Sequence, residues 1–79
     1  MDGSHEVPAS EVELPQYGGA LVELEGHRGA LGGRRTVTTS VGPVQQFEIT
    51  SEVTGRSQWV EWTADSVMTI FDRPARWRR

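Results

Sequence analysis

Residues 34–71 carry the clearest structural signal in the chain, and they read RRTVTTSVGPVQQFEITSEVTGRSQWVEWTADSVMTIF. Six Val, two Ile and seven Thr, all branched at Cβ, fill 15 of these 38 positions. Branching at Cβ restricts the side chain in a helix and packs well on a pleated sheet, so the composition favours strands. The predicted strands lie near 34–41, 44–53, 57–63 and 66–71, with turns at 42–43, 54–56 and 64–65.

Within these strands, apolar and polar side chains alternate, which is typical of a sheet with one buried face. The positions predicted to point inward are Phe47, Ile49, Val53, Val60 and Trp62. Trp59 then faces outward, and an outward Trp on a small domain often marks an interface. The last strand is apolar on both faces around 67–71, as expected for a central or barrel-closing strand.

The amino-terminal third of the chain predicts a β-hairpin. Residues 11–14 and 20–25 both alternate apolar and polar side chains, and the linker at 15–19 contains Pro and two Gly. With Leu14 opposite Ala20, the apolar side chains of both strands fall on one face, which would fix the register.

The same register gives this hairpin an acidic outer face. It places Glu11 opposite Glu23, and like charges directly opposite each other weaken a sheet by up to about 1 kcal/mol. Either the true register differs, or the acidic face serves to bind a partner. The remaining outward side chains of the hairpin would be Glu13, Leu21 and Glu25.

Three segments flank or interrupt the predicted strands. Residues 1–10 are polar and lack apolar periodicity, so a flexible lead-in is expected before an all-β domain at 11–72. Residues 26–33 contain four Gly in eight positions and predict the longest flexible loop. Residues 73–79 hold four of the eight Arg and form a basic tail.

These patterns together predict a small all-β fold with a single domain. A chain of 79 residues is too short for two domains and buries only about 60% of its unfolded surface. We expect an antiparallel meander or a partly open barrel of five or six short strands. Its strand rhythm is similar to that of small SH3-like and OB-like barrels, a similarity of pattern that carries no function.

The composition argues against several functional classes. The chain has no Cys, which excludes disulfides, thiolate metal sites and cysteine nucleophiles. Its two histidines, His5 and His27, have no nucleophile motif beside them, and Glu23 with Glu25 is an ordinary exposed pair. We therefore predict a protein that is not an enzyme and has no cofactor or metal. Without an apolar span of about 20 residues or a signal-peptide pattern, a cytoplasmic location and no membrane contact are expected.

Charge is distributed unevenly along the chain. Residues 1–25 carry six acidic side chains and no Arg, whereas residues 26–79 carry eight Arg and five acidic side chains. The net charge of −3 is therefore the sum of an acidic part and a basic part, each able to attract a different partner.

The leading functional prediction is a non-catalytic protein-binding module: a small regulator, inhibitor or accessory subunit of a larger protein. It rests on the lack of site chemistry, the acidic hairpin and the additional Trp. The side chains predicted to contact the partner are Glu11, Glu13, Leu21, Glu23, Glu25 and Trp59.

Two other functions remain open at this point. A small barrel that binds single-stranded nucleic acid would use Arg for phosphates and Trp for stacking, although the net acidity argues against it. The residues available for such contacts, or for an acidic partner, are Arg28, Arg34, Arg35, Arg73, Arg76, Trp77, Arg78 and Arg79. The tail among them would otherwise fold back on the acidic hairpin. The third function is a structural subunit of an oligomeric, phage-like assembly joined through strand edges.

Overall fold

A computed structural model describes residues 3–74 of the chain, with side chains described for residues 3–71. It contains one six-stranded antiparallel sheet, which confirms the all-β prediction. The strands are β1 Ser4–Pro8, β2 Ala20–Leu24, β3 His27–Thr39, β4 Gly42–Thr50, β5 Ser57–Trp62 and β6 Val67–Pro74. A 3-10 turn, Ala9–Glu11, and a one-turn helix α1, Leu14–Tyr17, connect β1 to β2. No helix among the described residues has the length and apolar character to cross a membrane.

The strands are ordered β1-β6-β2-β3-β4-β5 across the sheet. Strands β2 to β5 form a meander, because each pairs with the next along the chain. Strand β6 then returns to lie between β1 and β2. The sheet is not closed, so β1 and β5 are its two edges.

The core lies on one face of this sheet, which we call the inner face. Phe47 and Trp62 stack there with ring centroids 5.3 Å apart. The segment between β1 and β2 covers the face, with Ala9 and Val12 fully buried and Tyr17 packed against the cluster. The other buried members of the cluster are Val22, Leu24, Leu31, Ile49, Val60, Met68 and Ile70.

Four of the five predicted inward residues are buried in this core, and the fifth prediction is wrong. Val53 is 93% exposed, because β4 ends at Thr50 and residues 51–56 form the turn before β5. The preceding turn also lies two residues earlier than predicted, at residues 40–41 instead of 42–43.

The predicted amino-terminal hairpin does not form. Pro15 lies in the first turn of α1, where its missing N–H costs nothing, so the segment turns instead of extending. Strand β2 pairs with β3 and β6. The flexible lead-in is also wrong for residues 4–8, because β1 pairs in regular register with β6, from Ser4 opposite Phe71 to Pro8 opposite Val67.

The glycine-rich residues 26–33 are not a loop, since β3 begins at His27. The turn before it is tight, with positive φ at both Glu25 (49°) and Gly26 (82°), the geometry of a two-residue hairpin turn. The pairing of β3 with β4 shifts register between Leu31 and Arg34, which marks an irregularity of the β-bulge type.

Strands β3 and β4 extend beyond their neighbours as a two-stranded arm. Strand β2 pairs with β3 only as far as Ala30, and β5 pairs with β4 only from Gln45 onward. Residues 37–44, which we call the arm, therefore pair only with each other. A hydrogen bond from Thr36 Oγ1 to Gln45 Oε1 (3.0 Å) closes its base, and Val41 at its tip is 90% exposed.

Candidate functional site

The outer edge of β5 is a free strand edge within residues 3–74. All six residues of β5 pair with β4, from Ser57 opposite Thr50 to Trp62 opposite Gln45. In an antiparallel ladder, alternate residues direct their N–H and C=O groups to opposite sides of the strand. The free side of β5 therefore presents main-chain donors and acceptors that another strand can pair with.

Trp59 lies beside this edge on the outer face of the sheet, opposite to the face of Val60 and Trp62, as predicted. Its ring is half-buried because it covers the backbone at Gly33, where a Cβ atom would lie 3.1 Å from Trp59 Cη2. Arg35 stacks on the ring, with its Cζ 4.2 Å from the centroid.

Arg35 is held in this position by a second contact. Its Nε donates a hydrogen bond to Gln46 Oε1 at 2.7 Å. Arg35, Gln46 and Trp59 together form an outward surface next to the free edge, which we call the Trp59 platform. A planar aromatic ring with a stacked guanidinium offers both an apolar contact and hydrogen-bond donors.

A cleft of about 380 Å³ lies at the end of β5 that carries Trp62. Its walls come from Ser10, the start of β4 and the end of β5. Trp62 lines the cleft and is 7% exposed, and its Nε1 has no hydrogen-bond partner. Gln45, also in the lining, accepts from Thr36 through Oε1, which leaves its amide nitrogen to donate.

The acidic side chains predicted to share one face are dispersed. Glu11 lies in the 3-10 turn and Glu13 precedes α1, whereas Glu23 is on β2 opposite Arg28. Glu25 has a structural role in its turn, because Glu25 Oε2 accepts a hydrogen bond from Ser66 Oγ at 2.7 Å.

The prediction that Leu21 is an outward contact residue is also wrong. Leu21 is 0% exposed, although it is not a member of the core cluster. The hairpin that was expected to carry the acidic outer face does not exist, so no such face is assembled from these residues.

The arginine residues are likewise separated. Arg28 lies over Phe71 at 4.4 Å, and Arg34 lies 5.8 Å from the ring centroids of both Phe47 and Trp62. Arg34 and Arg35 thus contact aromatic rings on opposite faces of the sheet. The side chains of Arg73, Arg76, Trp77, Arg78 and Arg79 lie outside the described residues.

The chain shows no similarity that would assign a function. No family model, curated protein or solved structure matches it. Within the described part of the chain, no three metal-ligating side chains come together.

Sequence reasoning missed the free β5 edge and the cleft, because both depend on strand order. One local signal was available for the Trp59 platform. Two adjacent glycines within a β-rich stretch, such as Gly32 and Gly33, often mark a bulge or a close approach, and an aromatic side chain commonly covers such a site.

Proposed function

We propose that this protein is a non-catalytic binding module that takes up an extended segment of a larger protein along the free edge of β5. The observation that carries the proposal is the position of the Trp59 platform directly beside an unpaired strand edge. Such a module would act as a small regulator, inhibitor or accessory subunit of the larger protein.

The geometry supports strand addition as the binding mode. In this mode main-chain hydrogen bonds provide affinity, and alternate side chains of the added strand provide specificity. Side chains on one face of the added strand would meet the Trp59 platform, and those on the other face would meet the cleft beside Trp62. Trp and Arg are also the residue types that most often dominate binding energy at protein interfaces.

Nucleic-acid binding has less support from the same observations. Arg35 occupies a face of the Trp59 ring, and the arginines with described side chains form no continuous track. The net charge of −3 further opposes binding to a phosphate backbone.

The arm gives some support to a second candidate, a subunit of an oligomeric assembly. Residues 37–44 expose strand edges on both sides, and such edges can pair with a second copy of the chain. The mass in solution distinguishes the two candidates, because the binding module is expected to be a monomer without its partner.

Site-specific photo-crosslinking in extract of the source cell tests the proposal. A photoreactive side chain at position 57 or 61, both exposed on β5, should give one discrete protein adduct. The same group at position 41, on the tip of the arm, serves as the control and should not give that adduct. Absence of adducts from β5, or equal yield from position 41, would overturn the proposal.

The purified partner then allows the platform to be tested directly. Trp59→Ala should weaken binding by about 30-fold, the effect of a hot spot of about 2 kcal/mol. Arg35→Gln keeps the ring in place and should weaken binding more modestly, whereas Val41→Ala should leave the affinity unchanged. If folded Trp59→Ala binds as tightly as the wild type, the platform has no role.

A further inference from the structure

A second cleft lies at the opposite end of β5, away from Trp62. It has a volume of about 310 Å³. One wall is the 51–56 turn between β4 and β5, and the other is the start of β3. The lining residues are Gly26, His27, Arg28, Ile49, Ser51, Thr54, Arg56 and Gln58.

The 51–56 turn is fixed by its own hydrogen bonds. Ser51 N donates to Arg56 O, and Gly55 N donates to Ser51 O, both at 2.9 Å. Ser51 Oγ accepts from Val53 N (3.1 Å) and from Thr54 N (3.3 Å). The backbone of Arg56 is anchored a second time, because its N–H donates to Thr54 Oγ1 at 3.1 Å.

These bonds leave the cleft with donors in excess of acceptors. Both lone pairs of Ser51 Oγ are engaged, so its hydroxyl can interact with a ligand only as a donor. The side-chain amide nitrogen of Gln58 contacts Nδ1 of His27. The other ring nitrogen of His27, its Nε2, is therefore available to a ligand. The Arg56 guanidinium has five N–H donors and no acceptor.

The charge of the cleft matches this donor excess. No acidic residue lines it. Of the two carboxylates next to the lining along the chain, that of Glu25 accepts from Ser66 Oγ, and that of Glu52 is engaged in an interaction of its own. Arg28 also lines the cleft, but its guanidinium lies over Phe71 on the outer face. Arg56 is therefore the cation of the cleft, and His27 is its second basic group.

We infer that this cleft binds a small phosphoryl group, as inorganic phosphate or as a phosphate monoester. Phosphate oxygens accept hydrogen bonds and carry negative charge, which suits a site formed by a guanidinium, an imidazole, an amide and hydroxyl donors. The site is separate from the Trp59 platform, so the inference does not depend on the proposed function.

The placement of the other arginines favours a single phosphoryl group over a nucleic-acid strand. Arg34 lies seven residues along β3 from His27, about 20 Å away at the rise of a strand. Arg34 and Arg35 also contact rings on opposite faces, so no basic groove connects them with Arg56.

Titration of the isotope-labelled full chain with inorganic phosphate, followed by NMR, tests the inference. Saturable shifts are expected at the amide signals of Ser51, Thr54 and Arg56 and at the side-chain amide of Gln58. Chloride at matched ionic strength should produce no saturable shifts. Arg56→Gln, which keeps the backbone bonds of the turn, should weaken phosphate binding by about 10-fold or more.

Arg34→Gln is the matched control, since it removes the same charge from an exposed site elsewhere and should leave the affinity unchanged. Non-saturable shifts, equal shifts with chloride, or equal losses in both variants would overturn the inference. Titrations with O-phosphoserine and with short oligothymidylate identify the source of the group. Much tighter binding of the oligonucleotide, weakened also by Arg34→Gln, would replace the small-ligand site with a nucleic-acid surface.

Discussion

At Gly29 the absence of a side chain allows β3 to run close to the end of β4. A Cβ atom at this position would overlap the carbonyl oxygen of Thr50. Gly33 is tight for a different reason, because Trp59 lies directly over it. A Cβ atom added at Gly26 would meet no other part of the chain within 4 Å, and glycine is favoured there only by the positive φ of 82°. Three glycines of one short segment thus have three different structural roles.

The contrast between two of these positions gives a prediction. Gly29→Ala should destabilise the fold by about 3 kcal/mol or more, since the strand must move away from Thr50 to accept a methyl group. Gly26→Ala should cost only about 1 kcal/mol, the strain of a left-handed alanine. Thermal unfolding measures both, and Gly29→Ala should lower the Tm by more than about 10 °C. Equal losses in the two variants would contradict the close approach.

The individual elements differ in how well they can be predicted from sequence. Strands β4, β5 and β6 follow from β-branched content and from the alternation that buries Phe47 and Ile49, although β4 begins two residues earlier than predicted. Strand β1 does not, since an edge strand pairs through its main chain and only Val7 packs against the core. In β3, glycine content indicated a loop, but the pairing on both sides outweighs that local preference.

The position of the candidate sites could not be predicted for a related reason. Alternation placed Trp59 outward, but only the strand order makes β5, the strand that carries Trp59, an edge of the sheet. Similarly, Arg28, Arg34 and Arg35 were predicted to be available for the same contacts. Strand alternation instead places the adjacent Arg34 and Arg35 on opposite faces, and Arg56, which the sequence did not single out, becomes the basic residue of the second cleft.

The arm gives a prediction for a whole element. Replacing residues 38–43 by Asn-Gly would join Val37 and Val44, which are opposite each other, by a two-residue hairpin turn. The removed residues pair only among themselves, so the free energy of unfolding should change by less than about 1 kcal/mol. Thermal unfolding should then show a Tm shift below about 8 °C. A larger loss would mean that the arm supports the core.

For the molecule as a whole, the most sensitive element is β6. Among the described strands it is the only neighbour of β1 and the second neighbour of β2, and it contributes Met68 and Ile70 to the core. The sheet therefore consists of the β2–β5 meander, extended on the β2 side by β6 from the far end of the sequence and then by β1. A domain of this size has little stability to spare, so it cannot lose one internal strand.

Truncation after residue 66 tests this dependence on β6. The shortened chain should lack cooperative thermal unfolding and near-ultraviolet circular dichroism, although five of the six strand sequences remain. The arm-shortened chain, which also loses residues but no core contacts, is the control and should unfold cooperatively. A cooperative transition in the truncated chain would show that the meander is stable by itself.

The position of β6 also governs when the protein can fold during its synthesis. The ribosome makes β1 and β2 first, yet the strand that separates them in the sheet is made last. Until β6 emerges, both strands keep an unpaired edge and Val22 lacks the cover of Ile70. Folding is therefore expected to follow translation of the whole domain, and the nascent chain exposes strand edges that chaperones can bind in that interval.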